Sequence, residues 1–407
     1  MIRKLRSTGT GLGRRAVVVT ATLPLLALAA CQGAEAESGG DGPIRIGVLA
    51  PTSGSVSADG EGMVRATRLV VDKVNAEGGI GGRQIELVIA DDACEAQAGT
   101  QAAQKLVNDK VVAIVGGFCS SATLPAIELF HRNGDLPFVV AVSSNPKVTD
   151  AGYPNITRYI GRDDQEAPVL TTYVIDQLKS TKLAIMNDNT EFSRSVAQNV
   201  EKNVKTAGGT QIVYNDSIQP GQNDYRAALE RVRTTGADTL LYTGFYPEFG
   251  VLAKQWKSLN QPYQIVGGAS SIDLSVIKSS PEAARDERFS IVSYPTASLL
   301  DNAKATAFRE AYRKAYNAEP AQYDVFQYDA TEGLVAALKE NPDDLSTEAL
   351  NKRLRALSFE GITGQISFDD RGDRKAFPFL AVRAKDDTTF GPVFQFAPDG
   401  GWAAVGS

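Results

Sequence analysis

From residue 44 onward, short apolar runs alternate with longer amphipathic stretches. "IRIGVLAP" (44–51) is a β-rich run that closes on a proline. In the stretch after it, Met63, Ala66, Val70 and Val74 share one helical face, and Arg65, Arg68, Asp72 and Asn75 fall on the opposite one. The glycines of "EGGIGG" (77–82) end that helix, because they accept backbone angles that other residues resist. The same alternation predicts strands at 84–92, 111–117 and 137–142 and helices at 97–109 and 121–134. Strands alternating with helices in this way indicate a parallel sheet covered on both faces.

The pattern then restarts. Strands are expected at 182–188, in "GTQIVYND", at 238–245 and in "QIVGGAS". Helices are expected at 190–207, in "DYRAALERVRTTG" and in "PEFGVLAKQWKSLN". Two successive α/β lobes follow from this, with "YIGRDDQEAP" (159–168) as a polar crossover between them. After about residue 290 come "RFSIVSYP", three helical stretches (301–316, 326–341 and 346–357), and a strand pair, "GQISFDD" and "FPFLAVRA". These are too few for a third domain, so the chain is expected to return through the hinge and complete both lobes. That assigns 44–160 and 294–367 to the first lobe, and 161–293 and 368–407 to the second.

The first thirty residues change the picture, because they read as a targeting segment. Arg3, Lys4, Arg6, Arg14 and Arg15 precede an almost wholly apolar stretch, Ala16 to Ala30, that is short for a membrane span. Leu28-Ala29-Ala30-Cys31 looks like a bacterial lipobox, which makes 1–30 a lipoprotein signal peptide and Cys31 the lipidated residue. Residues 31–43 are small, acidic and Gly-rich, as a flexible tether would be. The flanks of Arg14-Arg15 fit twin-arginine export poorly. Removing residues 1–30 takes away five basic and no acidic residues, moving the net charge from −6 to −11. An exported acidic domain without a basic cluster argues against nucleic acid as a partner. The membrane is reached through the lipid anchor only, since no second apolar stretch is long enough to span it.

Three cysteines occur in the chain, and Cys94 and Cys119 remain once Cys31 is set aside. Two cysteines in an oxidising compartment most simply form one disulfide. With His131 the single histidine, no metal site and no cofactor is expected.

Ligands of open α/β sheets sit beyond the carboxyl ends of the strands, so the strand tips carry the candidate chemistry. Cys94 and Cys119 follow what read as neighbouring strands, and their bond would fix the loop that carries Ser120. Ser120 and Ser121 sit where a helix begins. They can cap it, or they can help its free N–H groups hold a carboxylate, with Ser143 and Ser144 adding donors from the next strand tip. Nucleophilic catalysis is disfavoured, because His131 lies roughly 15 Å along the helix from Ser120. In the second lobe Tyr242, Phe245 and Tyr246 end a strand, where they can pack or close over a bound molecule. The carboxylate pairs of "GRDDQEAP" and "DDRGDRK" need no function beyond turn chemistry.

The blocks "VNAEGGIGGRQIELVIADDACEA", "CSSATLPA", "SSNPKVTDAGYP" and "YTGFYPEFG", in that order, resemble the extracytoplasmic branched-chain amino-acid-binding (Leu/Ile/Val-binding) proteins of ABC importers. The closing "FDDRGDRKAFPFLAVRA" resembles the end of the same family, and the resemblance covers roughly 44–400. It implies the type I periplasmic-binding-protein fold: two doubly wound α/β lobes joined by a three-segment hinge, with crossovers near 158–162, 293–296 and 367–370. It implies that Ser120 binds a ligand carboxylate, helped by Ser144, and that the Val142 carbonyl accepts from a ligand amine. Phe192 takes the place of a tyrosine, Phe245 and Tyr246 form an aromatic lid, and the disulfide is matched by Cys94 and Cys119. Two positions depart. A family glutamate appears as Ala269, beside Ser270 in "GGASS", and a pocket tryptophan appears as Asp59. An ammonium without a carboxylate partner needs another charge, for which Asp59 and Asp329 are the candidates.

The expected function is therefore a lipid-anchored receptor on the outer side of the bacterial cell membrane. It would pass an amino acid, or a related carboxylate or amide, to ABC permease subunits. A sensor lipoprotein with the same clamshell is the alternative, and an enzyme is not expected.

Overall fold

The computed structural model describes residues 42–375, 378–397 and 400–405. The signal segment, Cys31 and all of the tether before residue 42 lie outside the described residues. The first pass of the chain consists of β1 (Ile44–Ala50), α1 (Ser57–Ala76), β2 (Ile85–Asp91), α2 (Ala96–Asn108), β3 (Ala113–Gly116), α3 (Ser120–Arg132), β4 (Phe138–Val140), α4 (Lys147–Asp150) and β5 (Ile156–Arg158). The second runs through α5 (Asp163–Thr172), β6 (Lys182–Asn187), α6 (Glu191–Ala207), β7 (Gln211–Ser217), α7 (Arg226–Thr234), β8 (Thr239–Tyr242), α8 (Tyr246–Ser258), β9 (Gln264–Gly267), α9 (Leu274–Ser279), α10 (Pro281–Ala284) and β10 (Phe289–Ser293). Then come α11 (Ala303–Tyr316), α12 (Asp324–Glu340), α13 (Thr347–Ala356), β11 (Ser358–Gly361) and β12 (Gly364–Ser367). The chain closes with β13 (Phe379–Ala384), β14 (Phe390–Phe396) and β15 (Trp402–Ala404).

Two large sheets result, one per lobe, with β11 and β12 as a separate two-stranded sheet. The first has the order β2-β1-β3-β4-β5 and is parallel throughout. The second has the order β15-β14-β13-β10-β9-β8-β6-β7, parallel from β7 to β10 and antiparallel beyond. Central strands such as β3 and β8 are buried along their whole length, as a sheet covered on both faces requires. Helix α1 buries Met63, Ala66, Val70 and Val74, the stripe its period predicts, and α12 and α11 return to pack on it. No helix among the described residues is long and apolar enough to cross a membrane.

The structure corrects three details. "GQISFDD" and "FPFLAVRA" are not partners: β12 forms a hairpin with β11, while β13 joins the second sheet between β10 and β14. The loops of Cys94 and Cys119 do not follow adjacent strands, because β1 lies between β2 and β3. The polar crossover at 159–168 is in large part helix α5. Its capping box, in which Gln165 Oε1 accepts from Arg162 N at 3.1 Å, and its acidic first turn favour a helix start that charge alone disguises as loop.

The same crossover is tied to the last one by a buried ion network. Asp373 accepts from Arg158 Nε at 2.8 Å and from Arg162 Nη1 at 2.9 Å, and also from Thr149. Arg162 is further held by Asp150 and Asp164. The carboxylates that read as turn chemistry thus join the strands that pass between the lobes.

Candidate functional site

The strand tips of the first lobe are held by a glycine turn. Gly116 and Gly117 have φ of 135° and 77°, and a Cβ on Gly116 would lie 2.1 Å from the Leu49 carbonyl oxygen. Only glycine turns the chain here. The Gly117 carbonyl then accepts from Val142 N (3.2 Å) and Ser143 N (2.9 Å), fastening the loop after β4 to the loop after β3. Cys94 and Cys119 form a disulfide across the end of β1, with Cα atoms 5.2 Å apart.

The serines on these tips have different tasks. Ser120 and Ser143 are fully buried and their hydroxyls meet at 3.0 Å. Ser121 donates to the Cys94 carbonyl at 2.8 Å, so its hydroxyl belongs to the disulfide loop. Neither serine caps α3 with its side chain: the N-cap position is Cys119, and Ser120 is the first helical residue. Ser144 is buried, and its carbonyl accepts from Asp163 N at 2.9 Å, a bond from the first lobe to α5.

The second lobe meets these tips with aromatic rings. Phe245 precedes α8, and its N–H donates to the buried Asp188 carboxylate at 2.9 Å, which fixes the ring's position. Its ring lies 5.5 Å from Phe192 and, across the seam between the lobes, 6.1 Å from Phe118. Tyr323, just before α12, stands edge-on to Phe118 at 6.0 Å and donates its hydroxyl to the Ala269 carbonyl. Tyr246 donates to Asp59 Oδ2 at 2.9 Å, and Lys147 pairs with Glu191 at 2.7 Å near the rim. Each of these last three contacts joins the two lobes. Ala269 is buried and Ser270 half-buried in a short 3-10 turn after β9. Tyr242, by contrast, stacks on Phe249 at 5.8 Å inside its own lobe.

The seam is acidic. Burial pushes the Asp59 carboxyl up to about 7, with the Tyr246 hydroxyl opposing and Asp273 adding to the rise. Glu166, on α5, accepts from Ala269 N at 2.9 Å through Oε1, while its Oε2 is buried without a hydrogen-bond partner. Burial pushes Glu166 up to about 8, opposed by that N–H and reinforced by Asp163. Asp163 itself is raised by burial to about 6, with the hydroxyls of Ser144 and Ser195 acting in the opposite sense.

Asp329 is not part of the seam. Its oxygens accept from Ile362 N (2.7 Å), Thr363 N (2.9 Å) and Thr363 Oγ1 (2.6 Å), so it holds the β11–β12 turn and is not a charge offered to a ligand. His131 is at the far end of α3, paired with Asp135 and stacked on Tyr153. Among the described residues no cluster of His, Cys, Asp and Glu could hold a metal ion. A hollow of about 600 Å³ beside α8, lined by Arg226, Tyr246, Lys254 and Ser279 among others, contains none of Ser120, Ser121, Ser143 and Ser144.

Phe118, Asp188, Glu166 and Tyr323 escape the sequence reading. Phe118 had a signal, an aromatic directly after a strand within "GGFCSS". Glu166 was hidden among three acidic or amide neighbours, and Tyr323 reaches the seam from just before a helix whose start carries no mark in the sequence.

Two α/β lobes meeting over a polar and aromatic seam define the class of hinged solute-binding receptors. Residues 43–389 match the family described as "Periplasmic binding protein", and the chain belongs to that family. A Leu/Ile/Val-binding protein of Rhizobium johnstonii is 31% identical over 81% of this chain and 88% of its own length. A leucine-, isoleucine-, valine-, threonine- and alanine-binding protein of Pseudomonas aeruginosa is 28% identical over 85% and 91%. A branched-chain amino-acid transporter substrate-binding protein of Streptococcus pneumoniae, solved with isoleucine, is 26% identical and superposes with a TM-score of 0.77 over 86% of this chain and 99% of that one. These relatives are binding proteins, not enzymes.

Proposed function

We propose that this protein captures an amino acid, or a related small carboxylate or amide, between its lobes outside the cytoplasm and delivers it to an ABC permease. The reading rests above all on the buried Ser120–Ser143 hydroxyl pair at the head of α3, where the positive end of the helix and its free N–H groups favour a carboxylate. Ser144 lies on the same strand tip, and Val142 offers its carbonyl to a ligand amine. Phe192, Phe245 and Tyr246 close over the ligand from the second lobe, with Ala269 and Ser270 beside them. The moving bodies are 44–160 with 294–367 and 161–293 with 368–407. Cys31 carries the lipid that holds the receptor to the cell membrane, with 31–43 as tether.

Calorimetric titration of the purified protein with a panel of amino acids, their amides and amine-free carboxylates tests this reading. Ser120→Ala should weaken the ligand found by about 1–3 kcal/mol, the worth of a buried charge-assisted hydrogen bond. Unchanged affinity in that variant would remove Ser120 from the site.

A further inference from the structure

Two buried carboxylates stand on either side of the seam without a cation. Asp59, in the first turn of α1, is 3% exposed and takes one hydrogen bond from Tyr246. Glu166 is 0% exposed, takes one from Ala269 N, and leaves Oε2 unsatisfied. Neither forms an ion pair with any described residue; the guanidinium groups of Arg158 and Arg162 are taken by Asp373, Asp150 and Asp164, and Lys147 by Glu191. A buried acid without a partner is costly, and the cost is relieved when a cation arrives.

The rings beside them point the same way. Phe118 from one lobe and Phe192 and Phe245 from the other form a wall whose faces carry the negative side of the aromatic quadrupole. Tyr323 lies at the junction: its ring meets Phe118, its hydroxyl meets Ala269, and both Asp59 and Glu166 act on it electrostatically. An aliphatic side chain would use the rings but leave the acids unanswered. A benzoate-like acid would use the rings but bring no charge to answer the acids. A small organic cation uses both.

We propose that the ligand carries a cationic side chain, held by Asp59 and Glu166 and flanked by Phe118, Phe192 and Phe245, so that the receptor selects a basic amino acid over an aliphatic one. This rests on the carboxylate reading of Ser120 given above. Asp59 is the specificity-determining residue, because it faces Tyr246 across the opening between the lobes. The groups acting on Asp59 are Tyr246 on α8, Asp273 before α9, and Tyr323 and Asp324 at the start of α12. The raised values of Asp59 and Glu166 mean that the empty seam holds protons near neutral pH, which an entering cation displaces into solvent.

The test is titration calorimetry of the purified protein with L-arginine, its decarboxylated form agmatine, L-lysine, L-leucine and benzoate, each in two buffers of different ionisation enthalpy. The expected result is that a cationic probe binds at least tenfold more tightly than leucine or benzoate, with proton release at pH 7. Asp59→Asn should weaken that probe at least tenfold and reduce the proton release. The wild-type proton count needs no variant, so a poorly folding Asp59→Asn does not rescue or sink the idea. Preference for leucine or benzoate, or cation binding without proton release, overturns the cation assignment while leaving the carboxylate reading standing. A probe without a carboxylate binding as well as its carboxylate parent would instead overturn that earlier reading. No binding by any of the five overturns the cation assignment.

Discussion

Glu166 shows how much a single buried group can control. It holds the backbone of Ala269 through one oxygen and leaves the other unsatisfied, in the helix that carries the chain from the first lobe to the second. Its folded pKa of about 8 lies above the ordinary 4.5, so the native state keeps a proton that the unfolded chain loses. Native stability from this group therefore declines as pH rises from about 4.5 to about 8 and then levels off. Each unit of such a difference corresponds to about 1.4 kcal/mol, so Glu166→Gln, which cannot ionise and still accepts from Ala269, should be more stable than wild type at pH 8.5 by up to about 5 kcal/mol. At pH 5 the two should be nearly equal. Thermal or urea unfolding at both pH values checks this, and an equal gain at both would point to packing instead of ionisation.

At the scale of the element, the loop from β3 into α3 is the unit that makes a site out of strand ends. Glycine at 116 and 117 turns it, the Gly117 carbonyl ties it to the next strand tip, and the bond to Cys94 pins it across β1. The two cysteines are 25 residues apart in sequence, for which loop-closure entropy gives about 3.5 kcal/mol. The double variant Cys94→Ser with Cys119→Ser should lose roughly that amount in chemical denaturation, together with ligand affinity, since Ser121 is also anchored to Cys94. Loss of stability without loss of affinity would separate the staple from the site. This element was largely legible in the sequence, because glycine, cysteine and serine each leave a local mark: permissive φ, a covalent partner, a polar group at a helix start. The parallel strands were legible for a similar reason, as β1 and β3 are apolar almost throughout. What was not legible depends on residues distant in sequence. Asp329 looks as available as Asp59 in the chain, and only the β11–β12 turn, 33 and 34 residues away, shows that its oxygens are occupied. The pairing of β13 with β10 and β14, instead of with β12, is likewise set by the return of the chain, which no local period encodes.

In the whole molecule, two sets of contacts hold the lobes in relation to each other. The crossovers are bound by Asp373 with Arg158 and Arg162, a buried network in which each charge has a hydrogen-bonded partner. The seam is closed by Tyr246 on Asp59, Tyr323 on Ala269, and the Phe118–Phe245 pair. Asp59 is buried where Tyr246 of the other lobe meets it, and to the extent that opening returns it to water its pKa falls from about 7 toward 3.8. Opening therefore releases a proton between these values, and the closed empty form loses ground as pH rises through that window, by up to about tenfold in population per pH unit. Small-angle scattering on the unliganded protein should show a larger radius of gyration at pH 8.5 than at pH 5.5. Asp59→Asn keeps an acceptor for Tyr246 but has no proton to lose, so the part of the change that Asp59 supplies should vanish in that variant. If wild type and variant expand alike, the acid that governs opening lies elsewhere in the seam, and Glu166 is the next to replace.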